Sequence, residues 1–204
     1  MSKAGDTRQK LVASARDLYL DQGLAGLSMR KVARAAGVSA PAIYRHFADK
    51  EALLTAVCEE GFELFASYLW RGLQGSTPRD RLRRTGQGYL DFGLEQAAYY
   101  RVMFMSPVED LGFEAMPEAA QVKMSPTFRF LADRVRECIA AGDIADGDPE
   151  ETAANIWSHC HGLVSLYLSG HFGSHIPGDE SFAAFFARST DSLIRGLAPG
   201  STTP

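Results

Sequence analysis

The chain contains 204 residues, 46% of them hydrophobic, and carries a formal net charge of −4. This length fits one large or two small globular domains. We expect no membrane span, because no run of about 18 apolar residues is present, and no signal peptide, because no apolar segment follows the charged N-terminus. The three cysteines are widely spaced, which favours reduced thiols and a cytoplasmic location over a disulfide framework.

Charge is distributed unevenly along the chain. Residues 1–50 contain nine Lys/Arg and four Asp/Glu, for a net charge of +5. The remaining 154 residues carry a net charge of −9. A basic N-terminal segment followed by an acidic remainder predicts that the first fifty residues contact a polyanion such as DNA and that the rest does not.

Capping residues and apolar periodicity predict the first helix. Asp6, followed by Gln9 three residues later, resembles a capping box, so the helix is expected to begin there. Leu11, Ala15 and Leu18 then line one helical face. Gly23 is expected to end the helix.

Residues 28–47 predict a helix-turn-helix, in which a tight turn joins two short helices. Ser28 is expected to cap the first of these helices, and Gly37 to end it in the left-handed conformation. Ser39 is expected to cap the second, with Pro41 in its first turn, where a missing N–H costs nothing. The second helix of such a unit lies in the major groove of DNA.

The rest of the chain also predicts helices, and it contains no convincing strand. The predicted segments are, in chain order, a helix from Asp49, a helix from Thr77, a short aromatic segment over residues 97–105, a loop or broken helix over residues 106–126, and helices over Phe128–Ile139, Asp148–Gly170 and Phe182–Leu197. The helix from Asp148 is apolar on most sides and is therefore expected to be buried. The predicted fold class is all-α.

The first fifty-odd residues resemble the DNA-binding domain of the tetracycline-repressor-type (TetR) family. The matching residues are Gly23, Leu27-Ser28, Val32-Ala33, Ala36-Gly37-Val38-Ser39, Ile43-Tyr44, His46-Phe47 and Lys50-Glu51-Leu53. The remainder is similar to that family in being all-helical. The resemblance implies a three-helix DNA-binding domain with a helix-turn-helix over residues 1–50 and a helical ligand-binding and dimerisation domain over residues 51–198. The composition of residues 199–204 predicts a disordered tail.

A second and shorter resemblance lies in the segment IWSHCHG. Trp157, His161 and Gly162 are similar to the Trp-His-Gly (WHG) signature of one C-terminal subgroup of the TetR family. This resemblance implies that the C-terminal domain belongs to that subgroup.

Nine residues are predicted to contact double-stranded operator DNA: Ser28, Arg30, Ser39, Ala40, Pro41, Ala42, Tyr44, His46 and Lys50. Tyr44 is expected to contact a phosphate because its neighbours Ile43 and Phe47 face inward; a tyrosine in the core is the alternative. His46 and Lys50 resemble the phosphate-contacting positions of the family.

The start of the second helix and the tip of the third differ in their chemistry. At the start of the second helix, the hydroxyl of Ser28, the guanidinium of Arg30 and the free backbone amides are all expected to contact a phosphate. Arg30 can instead reach the edge of a guanine base. The tip, residues 39–42, has one hydroxyl and no long polar side chain. It can pack against thymine methyl groups but cannot make bidentate hydrogen bonds, so specificity is expected to depend on Arg30, on DNA shape and on a second half-site.

Seven residues are predicted to line a site for a small-molecule effector: Tyr89, Phe92, Tyr100, Phe104, Phe128, Trp157 and His161. For any single aromatic residue, a place in the core is the alternative. Together they favour an aromatic-walled cavity between helices. His161, four residues after Trp157, is either a ligand contact or a hydrogen-bonded core histidine.

We expect no cofactor and no metal site. His171, His175 and Asp179 have the spacing that lines one face of a helix, but Gly173 and Pro177 are expected to break the helix there. No nucleophile elbow, Gly-rich phosphate loop or HExxH motif is present.

These patterns predict a homodimeric, ligand-responsive repressor that is not an enzyme and that a small apolar or aromatic molecule releases from its operator. Two alternatives remain open. A nucleoid-type DNA binder would show little preference among DNA sequences. A small-molecule enzyme or carrier with a vestigial helix-turn-helix would show turnover of a substrate.

Overall fold

The structure is a computed structural model that describes residues 3–107 and 126–200. Within these residues it contains α-helices and no strand, which confirms the all-α prediction. The helices are α1 (Lys3–Gly26), α2 (Met29–Ala35), α3 (Ala40–Ile43), α4 (Lys50–Leu69), α5 (Pro78–Glu95), α6 (Ala97–Met105), α7 (Pro126–Ala140), α8 (Pro149–Leu168) and α9 (Gly178–Gly196). Short 3-10 turns cover Trp70–Gln74 and Gly173–His175. No helix among the described residues is long and apolar enough to cross a membrane.

The described residues form two compact units. The N-terminal unit comprises residues 3–63 and 97–107, and the C-terminal unit comprises residues 64–96 and 126–200. The domain limits at residues 50 and 198 stay predictions. Part of the predicted loop (108–125) and part of the predicted tail (201–204) lie outside the described residues.

Each helix at the start of the N-terminal unit buries one apolar stripe. Leu11 on α1, Val32 on α2, Ile43 on α3 and Leu53 on α4 are all fully buried. Because α2 packs against both α1 and α3, the stripes of these three helices meet in one small core. This core holds the helix-turn-helix in place from its inner side.

The start of α1 differs from the prediction. The helix begins at Lys3, and Asp6 lies within its first turn, where its carboxylate pairs with Lys10 Nζ at 2.7 Å. This pair joins residues one turn apart and stabilises a helical surface, so Asp6 supports the helix without capping it. Gly23 breaks the regular helix as predicted, with φ of 63°, and a short continuation reaches Gly26.

The helix α6 belongs to the N-terminal unit. The hydroxyl of Tyr99 donates a hydrogen bond to the carboxylate of Glu60 on α4, and the guanidinium of Arg16 on α1 lies 4.7 Å from the centre of the Tyr99 ring. Burial, together with the carboxylate of Glu60, raises the pKa of Tyr99 to about 12. A β-carbon at Gly61 would lie 2.4 Å from the sulfur of Met103, so a larger residue there would require the Met103 side chain to move. These contacts fix α6 to α1 and α4.

Side-chain caps confirm three of the predicted helix starts. The carboxylate of Asp49 accepts a hydrogen bond from a backbone N–H three residues ahead at 2.8 Å, and the hydroxyl of Thr77 does so at 3.1 Å. The carboxylate of Asp148 accepts two, at 2.8 and 3.3 Å, from the residues two and three positions ahead. Each cap satisfies N–H groups that the first turn of a helix leaves unpaired.

Ion pairs connect α5 to two other helices of the C-terminal unit. The guanidinium of Arg81 lies 2.8 Å from the carboxylate of Glu137 on α7, and that of Arg83 lies 2.9 Å from the carboxylate of Asp191 on α9. Beneath them, Phe182 is fully buried and Phe186 is 1% exposed. The buried apolar surface supplies most of the stability of this unit, and the ion pairs, which are partly or largely exposed to solvent, contribute less.

The helix α8 is less buried than its composition predicts. Ala153, Ile156, Cys160 and Val164 are buried on one side, whereas Leu166 is 43% exposed. The prediction of a buried helix therefore holds on one side of α8 and is wrong on the other. The physical reason is that α8 packs against α5, α7 and α9, which leaves part of its apolar surface in contact with solvent.

Candidate nucleic-acid interface

Local hydrogen bonds build the turn between α2 and α3. The hydroxyl of Ser28 accepts a hydrogen bond from the backbone N–H of Lys31 at 3.3 Å, which confirms the predicted cap. Gly37 has φ of 69°, the left-handed conformation that favours glycine. The next N–H, from Val38, donates to the carbonyl of Ala33 at 2.9 Å and closes the end of α2.

The third helix is shorter than predicted. Ser39 occupies the N-cap position, but its hydroxyl makes no capping hydrogen bond, so this part of the prediction is wrong. Pro41 lies in the first turn as expected. The helix ends at Ile43, and the N–H groups of His46 and Phe47 both donate to the Ile43 carbonyl, at 2.9 and 3.0 Å. A bifurcated turn of this kind tightens a helix end.

The nine predicted DNA-contacting residues share one property, which is that none of them is buried. Six are exposed: Ser28, Arg30, Ser39, Ala40, Pro41 and Tyr44. Ala42, His46 and Lys50 are half-buried. Tyr44 is 58% exposed, so the alternative of a core tyrosine is wrong, while Ile43 and Phe47 are buried as predicted. Their contacts with DNA stay predictions.

Two lysines near this surface have internal partners. The ammonium of Lys31 donates to the Gln22 side chain and to the Gly26 carbonyl, both at 2.8 Å. The ammonium of Lys50 donates to the carbonyl of Leu24 at 3.4 Å. Both lysines therefore hold the end of α1 in place, and this end is the part of α1 that adjoins α2.

Three arginines on the same segment remain available to an external anion. Arg30, Arg34 and Arg45 are exposed, and no ion pair in the described parts of the chain involves their guanidinium groups. Arg34 was not predicted as a contact. Its position one turn after Arg30 on α2 is the pattern that identifies it, because residues four apart share a helical face.

Four of the seven predicted effector-site residues come together in the C-terminal unit. The hydroxyl of Tyr89 on α5 lies 3.2 Å from Nδ1 of His161 on α8. The ring of Trp157 lies 5.8 Å from that of His161 and 6.5 Å from that of Phe128 on α7. We call these four residues the aromatic cluster. Burial lowers the pKa of His161, so its imidazole is neutral at neutral pH and offers one donor and one acceptor nitrogen.

The other three residues lie elsewhere. Phe92 is fully buried, 4.9 Å from the ring of Phe65, and belongs to the core of the C-terminal unit. Tyr100 and Phe104 lie in the N-terminal unit, with ring centres 5.1 Å apart. Whether these residues contact a ligand stays a prediction.

A groove of about 310 Å³ reaches the aromatic cluster from the surface. Its apolar wall is formed by Phe128 and Ala132, and its rim by the charged residues Arg129, Asp133, Arg136, Asp148 and Glu150. Phe128 belongs to both the groove and the cluster. This side chain therefore connects the groove with the aromatic cluster.

The predicted break after α8 is observed. His171 and His175 are exposed, and a 3-10 turn over Gly173–His175 separates α8 from α9. The carboxylate of Asp179 accepts a hydrogen bond from the hydroxyl of Tyr167 at 2.6 Å. In residues 3–107 and 126–200, no group of three His, Cys, Asp or Glu side chains is arranged to hold a metal ion.

Comparisons with known proteins agree with this arrangement. The family model described as "Bacterial regulatory proteins, tetR family" matches residues 11–57, and the model described as "Tetracyclin repressor-like, C-terminal domain" matches residues 82–193. A solved structure of a protein of unknown function from Rhodococcus sp. RHA1 is 32% identical, with a TM-score of 0.72, and the match covers 94% of this chain and 95% of that one.

Two curated regulators are also similar. The HTH-type transcriptional activator FasR of Mycolicibacterium smegmatis is 30% identical over 122 residues, which is 59% of this chain and 53% of FasR. The HTH-type transcriptional regulator Rv1816 of Mycobacterium tuberculosis is 23% identical over 97% of each chain. Membership of the WHG subgroup stays a prediction. The two family models together cover the helix-turn-helix and the helical body, and the chain belongs to the TetR family of DNA-binding transcriptional regulators, which are not enzymes.

Proposed function

We propose that the protein is a homodimeric repressor that binds double-stranded operator DNA in the cytoplasm and leaves it when a small apolar or aromatic molecule binds the C-terminal unit. The observation that carries this proposal is the exposed surface of α2 and α3, with arginines that form no ion pair with any other described residue. DNA phosphates attract such a positively charged surface. In the major groove, acceptor atoms on base edges can accept hydrogen bonds from the guanidinium of Arg30.

The direct test is selection of operator DNA by the purified protein from a random duplex library. A specific regulator enriches a two-part motif whose half-sites lie about 34–36 Å apart, because each subunit presents one helix-turn-helix. A nucleoid-type binder enriches no motif. Enrichment without any symmetry would contradict the dimer but not the DNA-binding function.

Tyr44→Phe is expected to weaken DNA binding about tenfold, because one hydrogen bond to a charged phosphate is lost. The loss should be equal for the selected operator and for unrelated duplexes, since a phosphate contact carries no sequence information. Titration by fluorescence anisotropy measures both affinities. The melting temperature should not change, because the Tyr44 side chain is 58% exposed.

Tyr68→Phe is the matched control, since it also removes one phenolic hydroxyl. The hydroxyl of Tyr68 donates to the carboxylate of Glu95 at 2.8 Å within the C-terminal unit. This variant should therefore melt at a lower temperature and bind operator as tightly as the wild type. Equal affinities for Tyr44→Phe and the wild type would show that Tyr44 makes no phosphate contact.

The aromatic cluster supports the effector part of the proposal. Trp157 and Phe128 offer apolar surface, and the paired Tyr89 and His161 offer polar atoms at 3.2 Å from each other. Such a combination suits a ligand with an apolar or aromatic body and one or two polar groups. Release of DNA then follows if the ligand binds more tightly to the conformation with lower DNA affinity.

Trp157→Ala is expected to abolish most of the response of operator binding to the effector while leaving DNA affinity unchanged. The effector is first identified by screening aromatic acids, aromatic amines and fatty acids for release of a fluorescent operator duplex. The chain has two tryptophans, so Trp70→Phe leaves Trp157 as the only indole fluorophore, and its emission reports ligand binding directly.

Trp70→Ala serves as the matched control for Trp157→Ala, because Trp70 is 57% exposed and lies outside the cluster. It should respond to the effector as the wild type does. If Trp157→Ala retained the full response to a confirmed effector, the ligand site would have to lie elsewhere.

Apolar side chains that α8 and α9 leave incompletely buried support the dimer. Leu166 is 43% exposed, and Leu193 is half-buried in one subunit. Two copies packed through these helices as a four-helix bundle would bury them.

Transcriptional activation is the second candidate function, because the similar protein FasR is named an activator. In vitro transcription from a promoter that carries the selected operator distinguishes repression from activation. Repression predicts fewer transcripts when the protein is added and recovery on adding the effector, whereas activation predicts the opposite response to the protein.

A further inference from the structure

One basic side chain that lies outside the helix-turn-helix packs against the end of it. The guanidinium of Arg8, on α1, lies over the ring of Phe47, with its Cζ atom 5.4 Å from the ring centre. Phe47 is 5% exposed and belongs to the core of the N-terminal unit, whereas Arg8 is exposed. The ring therefore holds the Arg8 side chain in place while the guanidinium stays accessible to solvent.

The charge of Arg8 is not used within the described residues. Residues 5–50 contain eight Lys and Arg, of which four bind other groups of the protein: Lys10, Arg16, Lys31 and Lys50. Three more, Arg30, Arg34 and Arg45, are exposed on the helix-turn-helix. Arg8 is the eighth, and it forms no ion pair with any described residue. Its guanidinium is thus available to an external anion.

The Phe47 ring places Arg8 beside a residue that is predicted to contact a phosphate. The ring of His46 lies 6.5 Å from that of Phe47, so Arg8 and His46 adjoin the same ring. Successive phosphates of one DNA strand are about 3.4 Å apart along the helix axis. A strand with one phosphate at His46 therefore brings its neighbouring phosphates near the long side chain of Arg8.

We propose that the guanidinium of Arg8 binds a backbone phosphate of the operator close to the one at His46, so that α1 contacts DNA in addition to α2 and α3. The proposal rests on the proposed operator binding and adds a contact to it. A planar guanidinium donates two parallel N–H bonds to phosphate oxygens. Because the Phe47 ring orients the side chain before DNA binds, little conformational entropy is lost. The contact positions the protein and reads no base.

The first test measures operator affinity over a range of salt concentrations for Arg8→Gln, which removes the charge. Each lost phosphate contact makes the slope of log affinity against log salt less steep by about 0.9, so a dimer that loses two contacts should change by about 1.8. The loss in affinity should accordingly shrink about 12-fold between about 50 and 200 mM salt. Arg8→Lys keeps the charge and should keep the wild-type slope.

Lys10→Gln is the matched control, because it also removes one positive charge from the start of α1. Residues two apart point about 200° away from each other around a helix, so Lys10 lies on the other side of α1 from Arg8. Its ammonium pairs with the carboxylate of Asp6 at 2.7 Å. This variant should leave the salt slope unchanged. The melting temperature of each variant shows whether the contact with Phe47 also stabilises the fold.

Neutral phosphates locate the contact on the DNA. The operator is synthesised with one methylphosphonate in each half-site, at each position in turn. At the position that Arg8 contacts, this neutralisation should weaken binding by the wild type and have no further effect on Arg8→Gln, because the partner is already absent. The position that behaves in this way with His46→Gln should lie within two nucleotides of it.

Three results would each overturn the proposal: an Arg8→Gln protein with the wild-type salt slope, an equal change of slope in Lys10→Gln, or the absence of any methylphosphonate position that couples to Arg8. A lower melting temperature with an unchanged slope would assign Arg8 to the fold alone. In all of these cases a wild-type protein that selects and binds an operator leaves the DNA-binding function intact. A wild-type protein that binds no duplex would contradict that function itself.

Discussion

Replacing Leu166 and Leu193 by glutamate should produce folded monomers that bind the operator at least about 100-fold more weakly than the wild type. A dimer holds its second helix-turn-helix near the second half-site, and this effective concentration raises overall affinity by roughly 10² to 10⁴. Two glutamates per subunit place four carboxylates in the proposed interface, where they repel each other and lose water. Leu166 is 43% exposed in the single chain, so its substitution opens no cavity.

Phe185 is left unchanged in this experiment, although it lies on the same helix as Leu193. Its ring packs against that of Phe172 with centres 5.7 Å apart, so glutamate there would disturb the fold of each subunit. Light scattering at micromolar concentration measures the oligomeric state, circular dichroism measures helix content, and anisotropy measures operator affinity.

Leu73→Glu is the matched control for the two leucine substitutions. Leu73 is 53% exposed on the 3-10 turn over Trp70–Gln74, outside α8 and α9. This variant should remain dimeric and bind operator normally. A wild-type protein that scatters light as a monomer, or a double variant that stays dimeric, would refute the proposed interface.

Gly88→Ala and Gly86→Ala should change stability in opposite directions, although the two positions lie one half-turn apart on α5. A β-carbon at Gly88 would lie 2.3 Å from the backbone carbonyl oxygen of Tyr68, and backbone cannot yield as a flexible side chain can. We expect Gly88→Ala to reduce the free energy of unfolding by about 3 kcal/mol. At Gly86, no atom of the described residues lies within 4 Å of the added carbon, apart from its chain neighbours and the nearby backbone of α5 itself.

Gly86→Ala should therefore increase the free energy of unfolding by about 0.5–1 kcal/mol, because alanine has the higher helix propensity and the less flexible unfolded chain. Urea denaturation followed by circular dichroism measures both changes. Stabilisation by Gly88→Ala would mean that α4 and α5 do not approach each other as closely as the structure places them.

Local sequence was sufficient for most helices and their ends. The caps at Ser28, Asp49 and Asp148 and the left-handed turn at Gly37 depend on hydrogen bonds within a few residues, so the residue types predict them directly. The same locality explains why Tyr44 was correctly placed outside the core. Ile43 and Phe47 occupy the buried side of this short segment, which leaves Tyr44 on the side that faces solvent.

The capping patterns predicted two caps incorrectly, at residues whose side chains can make a different local interaction. Asp6 has the sequence of a cap, but its ion pair with Lys10 is compatible with a helix that begins earlier. Ser39 has the position of a cap without the hydrogen bond, so its hydroxyl is free for an external partner. In both cases the residue type permits two roles of similar energy, since a cap and a surface contact each contribute about 1 kcal/mol or less.

Contacts between distant segments were decided by tertiary packing alone. Tyr89 meets His161 across 72 residues, Tyr99 meets Glu60 across 39, and Phe92 lies in the core while Trp157 stays half-exposed. The aromatic residues of the predicted effector site look alike in sequence because all are apolar and all fall on helices. Only the packing of helices against one another determines which face of each is covered, and no pattern within a single helix records the position of its neighbours.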